Sequence, residues 1–158
     1  MLIEKIVSGG QTGADRAALD WAIAGNVPHG GWCPQGRRAE DGSIAGQYLL
    51  NETPERGYRV RTEWNIRDSD ATVIFSIAGR LTGGSLLTRR IAARWNRPCL
   101  HLSRDKARDP FVEFLAFIEE SRAKIINVAG PRASHEPDVG GFVTEVLDMT
   151  LGRMTERG

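Results

Sequence analysis

Short apolar runs alternate with amphipathic stretches along most of the chain. Apolar and β-branched runs predict strands at residues 3–7, 71–75, 99–102 and 125–128, with a shorter extended piece near 27–31. Apolar residues at helical spacing predict helices over residues 13–24, 86–95, 110–122 and 141–154. This alternation predicts an α/β protein: a three-layer α/β/α Rossmann-like fold with a mostly parallel sheet and helices on both faces.

The stretch between residues 31 and 69 lacks a clear period. Residues 31–51 mix glycine, proline, arginine and acidic residues, and we expect a long ordered loop with one turn of helix near residues 44–50. Residues 58–61 are expected to form a short strand and residues 62–69 a short capped helix. Because long ordered loops in compact domains usually carry function, residues 31–51 are a candidate part of a binding site.

Size and composition are those of an ordinary globular protein. The 158 residues suit a single ligand-binding domain over residues 1–158, and 41% are hydrophobic and 26% charged. A formal net charge of +1 argues against bulk electrostatic binding of nucleic acid. No run approaches the roughly 18 apolar residues that predict a membrane span. Two distant cysteines, Cys33 and Cys99, without a targeting segment favour a cytoplasmic location.

A glycine-rich turn follows the first predicted strand and opens the first helix. Such a turn points backbone N–H groups and the positive end of the helix dipole at one spot, which favours phosphate or another anion. Thr12 is expected to cap the helix, and Asp15 stands where a capping-box acid belongs. The candidate ligand-binding residues of this turn are Gly9, Gly10, Gln11, Thr12, Gly13, Asp15 and Arg16.

Two common nucleotide-binding motifs do not fit this turn. In a dinucleotide-binding G-x-G-x-x-G motif, Ser8 would replace the first glycine, and residues 21–39 contain no acid to hold a ribose. NAD binding is therefore not expected. No Gly-Lys-Ser or Gly-Lys-Thr follows, so the turn is not that of a P-loop NTPase.

Two further turns are predicted at the same edge of the sheet. Thr82, Gly83, Gly84 and Ser85 open the helix after the strand at residues 71–75, which makes them a second candidate anion cradle. The last strand ends in a turn that carries Gly130 and Arg132. Since ligands bind outside the carboxyl ends of parallel strands, all three turns are expected to face one crevice.

The loop at residues 31–51 concentrates charged side chains. Arg37 and Arg38 are candidates for gripping a phosphate through paired hydrogen bonds. Glu40 and Asp41, with Asp15, are candidate general acids or bases if the fold brings them together. An alternative interpretation is a solvated loop held by local ion pairs, which would add little stability.

Metal and thiol chemistry have little support in the sequence. The three histidines, His29, His101 and His135, are scattered without metal-ligand spacing, so no structural metal is expected. Cys33 has no activating base nearby in sequence, which favours a packed thiol. No nucleophile elbow or Ser-His-Asp order stands out.

These motifs together resemble the "putative molybdenum carrier" family, a YpsA-related branch of the SLOG superfamily. The resemblance rests on residues 8–20 and on Gly-Trp-Cys-Pro with Gly-Arg-Arg-Ala-Glu-Asp-Gly within residues 31–42. It continues in Leu-Thr-Gly-Gly-Ser at residues 81–85 and Asn-Val-Ala-Gly-Pro-Arg at residues 127–132. The motifs span nearly the whole chain, and the first two are the more specific.

The resemblance implies a carrier or binding protein for molybdenum cofactor (molybdopterin) or a nucleotide, often a homo-oligomer, here a dimer or tetramer. Trp64, Trp95 and Phe142 are candidates for a subunit contact or for the core. Lysine-decarboxylase-like relatives cleave nucleoside monophosphates with a Gly-Gly-x-Gly-Thr-x-x-Glu loop, but here Arg90 stands where that glutamate would fall. A nucleotide-hydrolysing enzyme and a nucleotide-dependent sensor remain alternatives.

Overall fold

The computed structural model describes the backbone of residues 2–157 and the side chains of residues 2–151. The helices are α1 (Ala14–Ala24), α2 (Tyr58–Arg67), α3 (Gly83–Arg94), α4 (Pro110–Ser121) and α5 (Val139–Arg157). The strands are β1 (Lys5–Val7), β2 (His29–Gly30), β3 (Trp32–Cys33), β4 (Arg38–Ala39), β5 (Gly42–Ser43), β6 (Asn51–Glu52), β7 (Ala71–Ser76), β8 (Cys99–Ser103) and β9 (Ile125–Ala129).

Five strands form a parallel sheet in the order β2-β1-β9-β7-β8. Side chains of β7 alternate between its faces: Val73 and Phe75 join the core beneath α1, α4 and α5, whereas Thr72 accepts a hydrogen bond from Asn127 on the other side. On that second face α2 packs against α3 through Ile66 and Ile91. The predicted three-layer Rossmann-like fold is confirmed.

The sheet has a switch point that positions the site. From β1 the chain crosses to β2 in one direction, and from β7 it crosses to β8 in the other, with β9 between β1 and β7. The carboxyl ends of β1, β9 and β7 therefore lie side by side, and the loops that follow these three strands open on the same edge of the sheet.

Most predicted helices begin and end where local chemistry indicates. Asp109 caps α4 by accepting a hydrogen bond from the Val112 amide at 3.2 Å, Pro110 occupies the first turn, and Arg122 ends the helix in a left-handed conformation. The expected Thr12 cap of α1 is wrong. Gly13 occupies the N-cap position at φ 83°, and none of the described side chains caps the helix there.

The segment between residues 31 and 69 departs from expectation in two places. Residues 58–61 form the first turn of α2 rather than a strand, because their alternating pattern is overridden by the packing of α2 against α3. Residues 44–50 form no helix, since Arg37 binds the carbonyl groups that a helix would use. The short strands β3 and β6 pair in parallel, and β4 pairs with β5 in an antiparallel ladder.

Two of the aromatic residues considered for a subunit contact or for the core lie in different environments. Phe142 is buried in the core with its ring edge-on to Phe75, which is the second of these alternatives. Trp95 is 39% exposed at the end of α3.

The side chain of Met154, within the predicted last helix, lies outside the described residues. None of the helices in the described part of the chain has both the length and the apolar character that a bilayer crossing requires.

Candidate functional site

The loops after β1, β7 and β9 surround a cavity of about 650 Å³ at the carboxyl edge of the sheet. The first loop contributes Gly9 and Gln11 to its wall, and the other two contribute residues 82–85 and 130–132. The N-terminal turn of α2 closes another side with Tyr58 and Arg61. The structure thus brings together the three turns that the sequence places after parallel strands.

Close backbone approach holds the first and last loops against each other. Gly13 has a φ of 83°, and a Cβ at this position would clash with the Pro131 carbonyl and the Ala133 amide. Thr12 reinforces this contact by accepting a hydrogen bond from the Ala133 amide at 3.2 Å. Glycine at position 13 is therefore needed for the contact between the two loops.

Asp15 and Arg61 form a buried ion pair on the cavity wall. Arg61 Nη1 lies 3.1 Å from Asp15 Oδ2, and the backbone N–H of Gln11 donates to the same oxygen at 3.3 Å. Asp15 is only 4% exposed. Burial raises the pKa of its carboxyl, although the Arg61 charge opposes this effect.

Three arginines surround the ring of Tyr58. Their guanidinium carbons lie 5.1 Å (Arg38), 5.2 Å (Arg61) and 4.9 Å (Arg132) from the ring centroid. Burial alone would raise the pKa of the Tyr58 phenol, but the neighbouring positive charges and hydrogen bonds outweigh it and lower the pKa. In the described part of the chain no carboxylate forms an ion pair with Arg38 or Arg132. Of these three arginines, Arg61 is paired with Asp15, and Arg132 lines the cavity without an ion pair to a described carboxylate.

The N-terminus of α3 opens directly on the cavity. Thr82 occupies the N-cap position without a side-chain capping hydrogen bond. No described atom lies within 4 Å of a Cβ built on Gly83 or Gly84, so the space beside this backbone is open. The first-turn amides of a helix have no partner within the helix and attract negative charge.

The Glu136 side chain binds the backbone amides that directly follow β7. Its carboxylate accepts hydrogen bonds from the amides of Ile77 at 2.8 Å and Ala78 at 3.0 Å. The chain thus supplies its own anion to one pair of amides at the cavity, while the amides at the start of α3 stay accessible.

Several predicted site residues are engaged in hydrogen bonds within the protein itself. Arg37 donates four hydrogen bonds to carbonyl groups of its own loop. Arg16 binds the Asp41 carboxylate and the Gly10 carbonyl. Glu40 accepts from the Thr12 hydroxyl and from Ser134, whose hydrogen bonds lower the pKa of its carboxyl.

The three candidate acids therefore do not converge. Asp15 lines the cavity, whereas Glu40 and Asp41 lie in exposed contacts between loops. Sequence reasoning missed Tyr58 and Arg61, because it assigned residues 58–61 to a strand without a ligand role. Their charge and aromatic character were visible, but only the helical start of α2 brings them to the cavity.

The two thiols lie in structural environments, whereas His135 lines the cavity. Cys33 is buried, and burial raises the pKa of its thiol; burial likewise raises the pKa of Cys99 to about 11. The His101 ring contacts the Ser76 hydroxyl at 2.7 Å near the cavity floor. Within residues 2–151, no group of three or more His, Cys, Asp or Glu side chains is placed to hold a metal ion.

Comparison with known proteins adds two findings. The model of the circularly permutated YpsA SLOG family matches residues 6–151. The solved structure of a protein named putative molybdenum carrier protein, from Syntrophus aciditrophicus SB, superimposes with a TM-score of 0.90 at 44% sequence identity. The match covers 93% of this chain and 94% of that one. No protein with a curated description matches the chain.

Proposed function

The chain belongs to the circularly permutated YpsA SLOG family, and from its cavity we propose that it is a binding or carrier protein for a phosphate-bearing ligand. The ligand class is molybdenum cofactor or a nucleotide. The observation that carries this proposal is a cavity of about 650 Å³ whose wall includes the open N-terminus of α3 and Arg132, which forms no ion pair with a described carboxylate. Such an arrangement favours an anion and has the volume of a small-ligand site.

Each end of the cavity suits a different part of such a ligand. The amides of Gly83, Gly84 and Ser85 would accept phosphate oxygens, and Arg132 would complement their charge. Leu81 and Leu87 add apolar wall against which a planar ring would pack. The predicted ligand residues Arg16 and Arg37 are not needed in this arrangement.

Molybdenum cofactor fits the donor set as cargo. Its phosphate matches the guanidinium and helix-terminus donors, and the printed name of the Syntrophus protein supports this choice. The cavity wall offers nitrogen and oxygen groups and no cysteine sulfur among its described lining residues. We therefore propose that the chain holds the organic, phosphate-bearing part of the cofactor rather than coordinating the metal through thiolates.

Native mass spectrometry of protein purified without added ligand tests the proposal first. A bound mass equal to molybdenum cofactor or a nucleotide is expected, and it should disappear on mild unfolding. Calorimetric titration with AMP, GMP and molybdate then gives dissociation constants for phosphate esters and for a small oxyanion. Absence of copurified ligand together with no binding in any titration would contradict the proposal.

A nucleotide-hydrolysing activity is the second candidate, favoured by Asp15. A buried carboxyl with a raised pKa beside a cavity is a reasonable general acid. Nucleoside monophosphates incubated with the protein would then release a free base or phosphate, detected by chromatography. Turnover in the wild type that is lost in Asp15→Asn would favour the enzyme, and binding without turnover would favour the carrier.

Assembly and location extend the proposal. We propose a cytoplasmic homo-oligomer, a dimer or tetramer, because partly exposed apolar side chains such as Leu49, Val112 and Met149 offer contact area. The same mass spectra report the subunit number. A monomeric species across micromolar concentrations would contradict this part of the proposal.

A further inference from the structure

Gln11 is held in the cavity wall by its side-chain carbonyl. Its Oε1 accepts hydrogen bonds from the Thr12 amide at 3.1 Å and from the Glu40 amide at 2.8 Å. Two backbone donors on one oxygen settle which end of the amide is oxygen, because a nitrogen there could not accept them. The opposite end of the amide is therefore an NH₂ group with a fixed direction.

That NH₂ group is buried and forms no hydrogen bond of good geometry with a described residue. Gln11 is only 4% exposed, and it lines the cavity. The side-chain amide of Gln11 lies close enough to the Tyr58 hydroxyl to help lower the pKa of the phenol. Even so, none of the described atoms is placed to accept a hydrogen bond of good geometry from Nε2. A buried donor without an acceptor costs about 1–3 kcal/mol, so its retention needs an explanation.

A second unpartnered donor lies on the same wall. Arg61 uses Nη1 for Asp15, but its Nε has no acceptor in the described part of the chain. Gly9 runs beside this guanidinium so closely that a Cβ at position 9 would overlap it. Because Gly9, Gln11 and Arg61 line one cavity, both buried donors lie in its wall, where a ligand reaches them by displacing the side chains that cover them.

We propose that Gln11 is a specificity-determining residue that presents a fixed hydrogen-bond donor to an acceptor-only oxygen of the ligand. The ligand class is an oxyanion, either a phosphate ester or a free inorganic oxyanion. This inference rests on the proposed function and adds the group that Gln11 selects. A ligand presenting an N–H group to Gln11 would leave two donors facing each other and would be rejected, whereas a hydroxyl oxygen could still accept the hydrogen bond.

The sharpest variant is Gln11→Glu. It keeps an oxygen for the Thr12 and Glu40 amides and replaces the free donor with a second acceptor. The charge-matched control is Gln35→Glu, at an exposed glutamine outside the cavity wall. Affinity for AMP, GMP and molybdate is measured by calorimetry at pH 8 and pH 5, and circular dichroism checks the fold of each variant.

We expect Gln11→Glu to weaken binding of the tightest probe at least tenfold at pH 8, because one donor is lost and a charge opposes the ligand. Burial at position 11 should raise the pKa of the introduced carboxyl, so the affinity ratio of variant to wild type should begin to recover towards pH 5, as protonated glutamic acid again donates. Gln35→Glu should bind within twofold of the wild type. AMP bound more tightly than molybdate would identify a phosphate ester, and the reverse a free oxyanion.

Two results overturn the inference and are distinguishable. Wild-type binding with unchanged affinity in Gln11→Glu overturns the role of Gln11 and leaves the proposed function intact. Wild-type protein that binds none of the three probes overturns both. If the variant does not fold, the side-chain NH₂ protons of Gln11 in wild-type protein are followed by NMR. A downfield shift on adding the probe, absent at Gln35, is expected; unchanged Gln11 signals would overturn the inference.

Discussion

Two arginine-bearing regions look alike in sequence and differ in how their donors are used. In the loop at residues 31–51, the Arg37 guanidinium donates to the carbonyls of Ile44, Ala45, Tyr48 and Leu50 at 2.7–3.2 Å. At the cavity, Arg132 faces the Tyr58 ring and forms no ion pair with a described carboxylate. The first arginine holds the chain together, whereas the second remains available. Free donors, rather than arginine content, mark the candidate site.

The largest expected effect comes from removing Arg37. Arg37→Met leaves four carbonyl groups without their donor, so we expect the free energy of unfolding to fall by about 3 kcal/mol. Urea unfolding followed by circular dichroism measures it. The control Arg38→Met, which removes an exposed neighbour that contacts the Tyr58 ring, should cost less than about 1 kcal/mol. Equal losses of unfolding free energy in Arg37→Met and Arg38→Met would contradict the structural role assigned to Arg37.

Removing Arg132 should show the opposite pattern. We expect Arg132→Met to weaken binding of the tightest probe among AMP, GMP and molybdate by about tenfold, because a charge-assisted contact is lost. Its free energy of unfolding should stay within about 0.5 kcal/mol of the wild-type value. Calorimetry and urea unfolding on the same preparations separate the two effects. Arg132→Met that binds normally but unfolds easily would show that Arg132 is structural.

The pH dependence of stability should reveal the buried carboxyl of Asp15. Because burial raises its folded-state pKa above 3.8, the folded protein binds this proton more tightly than the unfolded chain. The free energy of unfolding of wild type relative to Asp15→Asn should therefore rise as pH falls from 7 through the raised pKa towards 3.8. Asp105→Asn, at an exposed aspartate, controls for loss of a carboxylate. A relative stability that falls on acidification would contradict the raised pKa.

The smallest effect is expected at Glu40, which joins the first and last loops on the exposed side of the site. Hydrogen bonds from Ser134 and Thr12 lower the pKa of its carboxyl below 4.5. Its stabilising contribution is therefore present above pH 4.5 and is lost as pH falls through the lowered pKa. Glu40→Gln should be slightly less stable than wild type at pH 7, and the difference should shrink on acidification. A difference that widens would contradict this assignment.

The fold could be predicted because its signals are local. The buried run at residues 71–75 and the glycine turns after strands specify a parallel sheet whose loops share one edge. The same information could not assign Arg37, because its partners are backbone carbonyls that carry no side-chain signature. It could not place Tyr58 either, since tertiary packing of α2 overrides a strand-like pattern.

The orientation of Gln11 was equally hidden from sequence. The residue belongs to a turn that the sequence marks as a candidate site, but its free donor depends on the amides of Thr12 and Glu40 meeting its carbonyl. Glu40 is distant in the chain and reaches this position through the loop between β4 and β5. Motif reading finds the turn, and only the fold shows which atoms remain without partners.

A crystal structure of the complex with the tightest-binding probe tests the central claim most directly. The claim predicts ligand oxygens within about 3 Å of the first-turn amides of α3 and of Gln11 Nε2, with Arg132 against the anionic group. A ligand bound on another face, with Gln11 Nε2 and the start of α3 untouched, would contradict it.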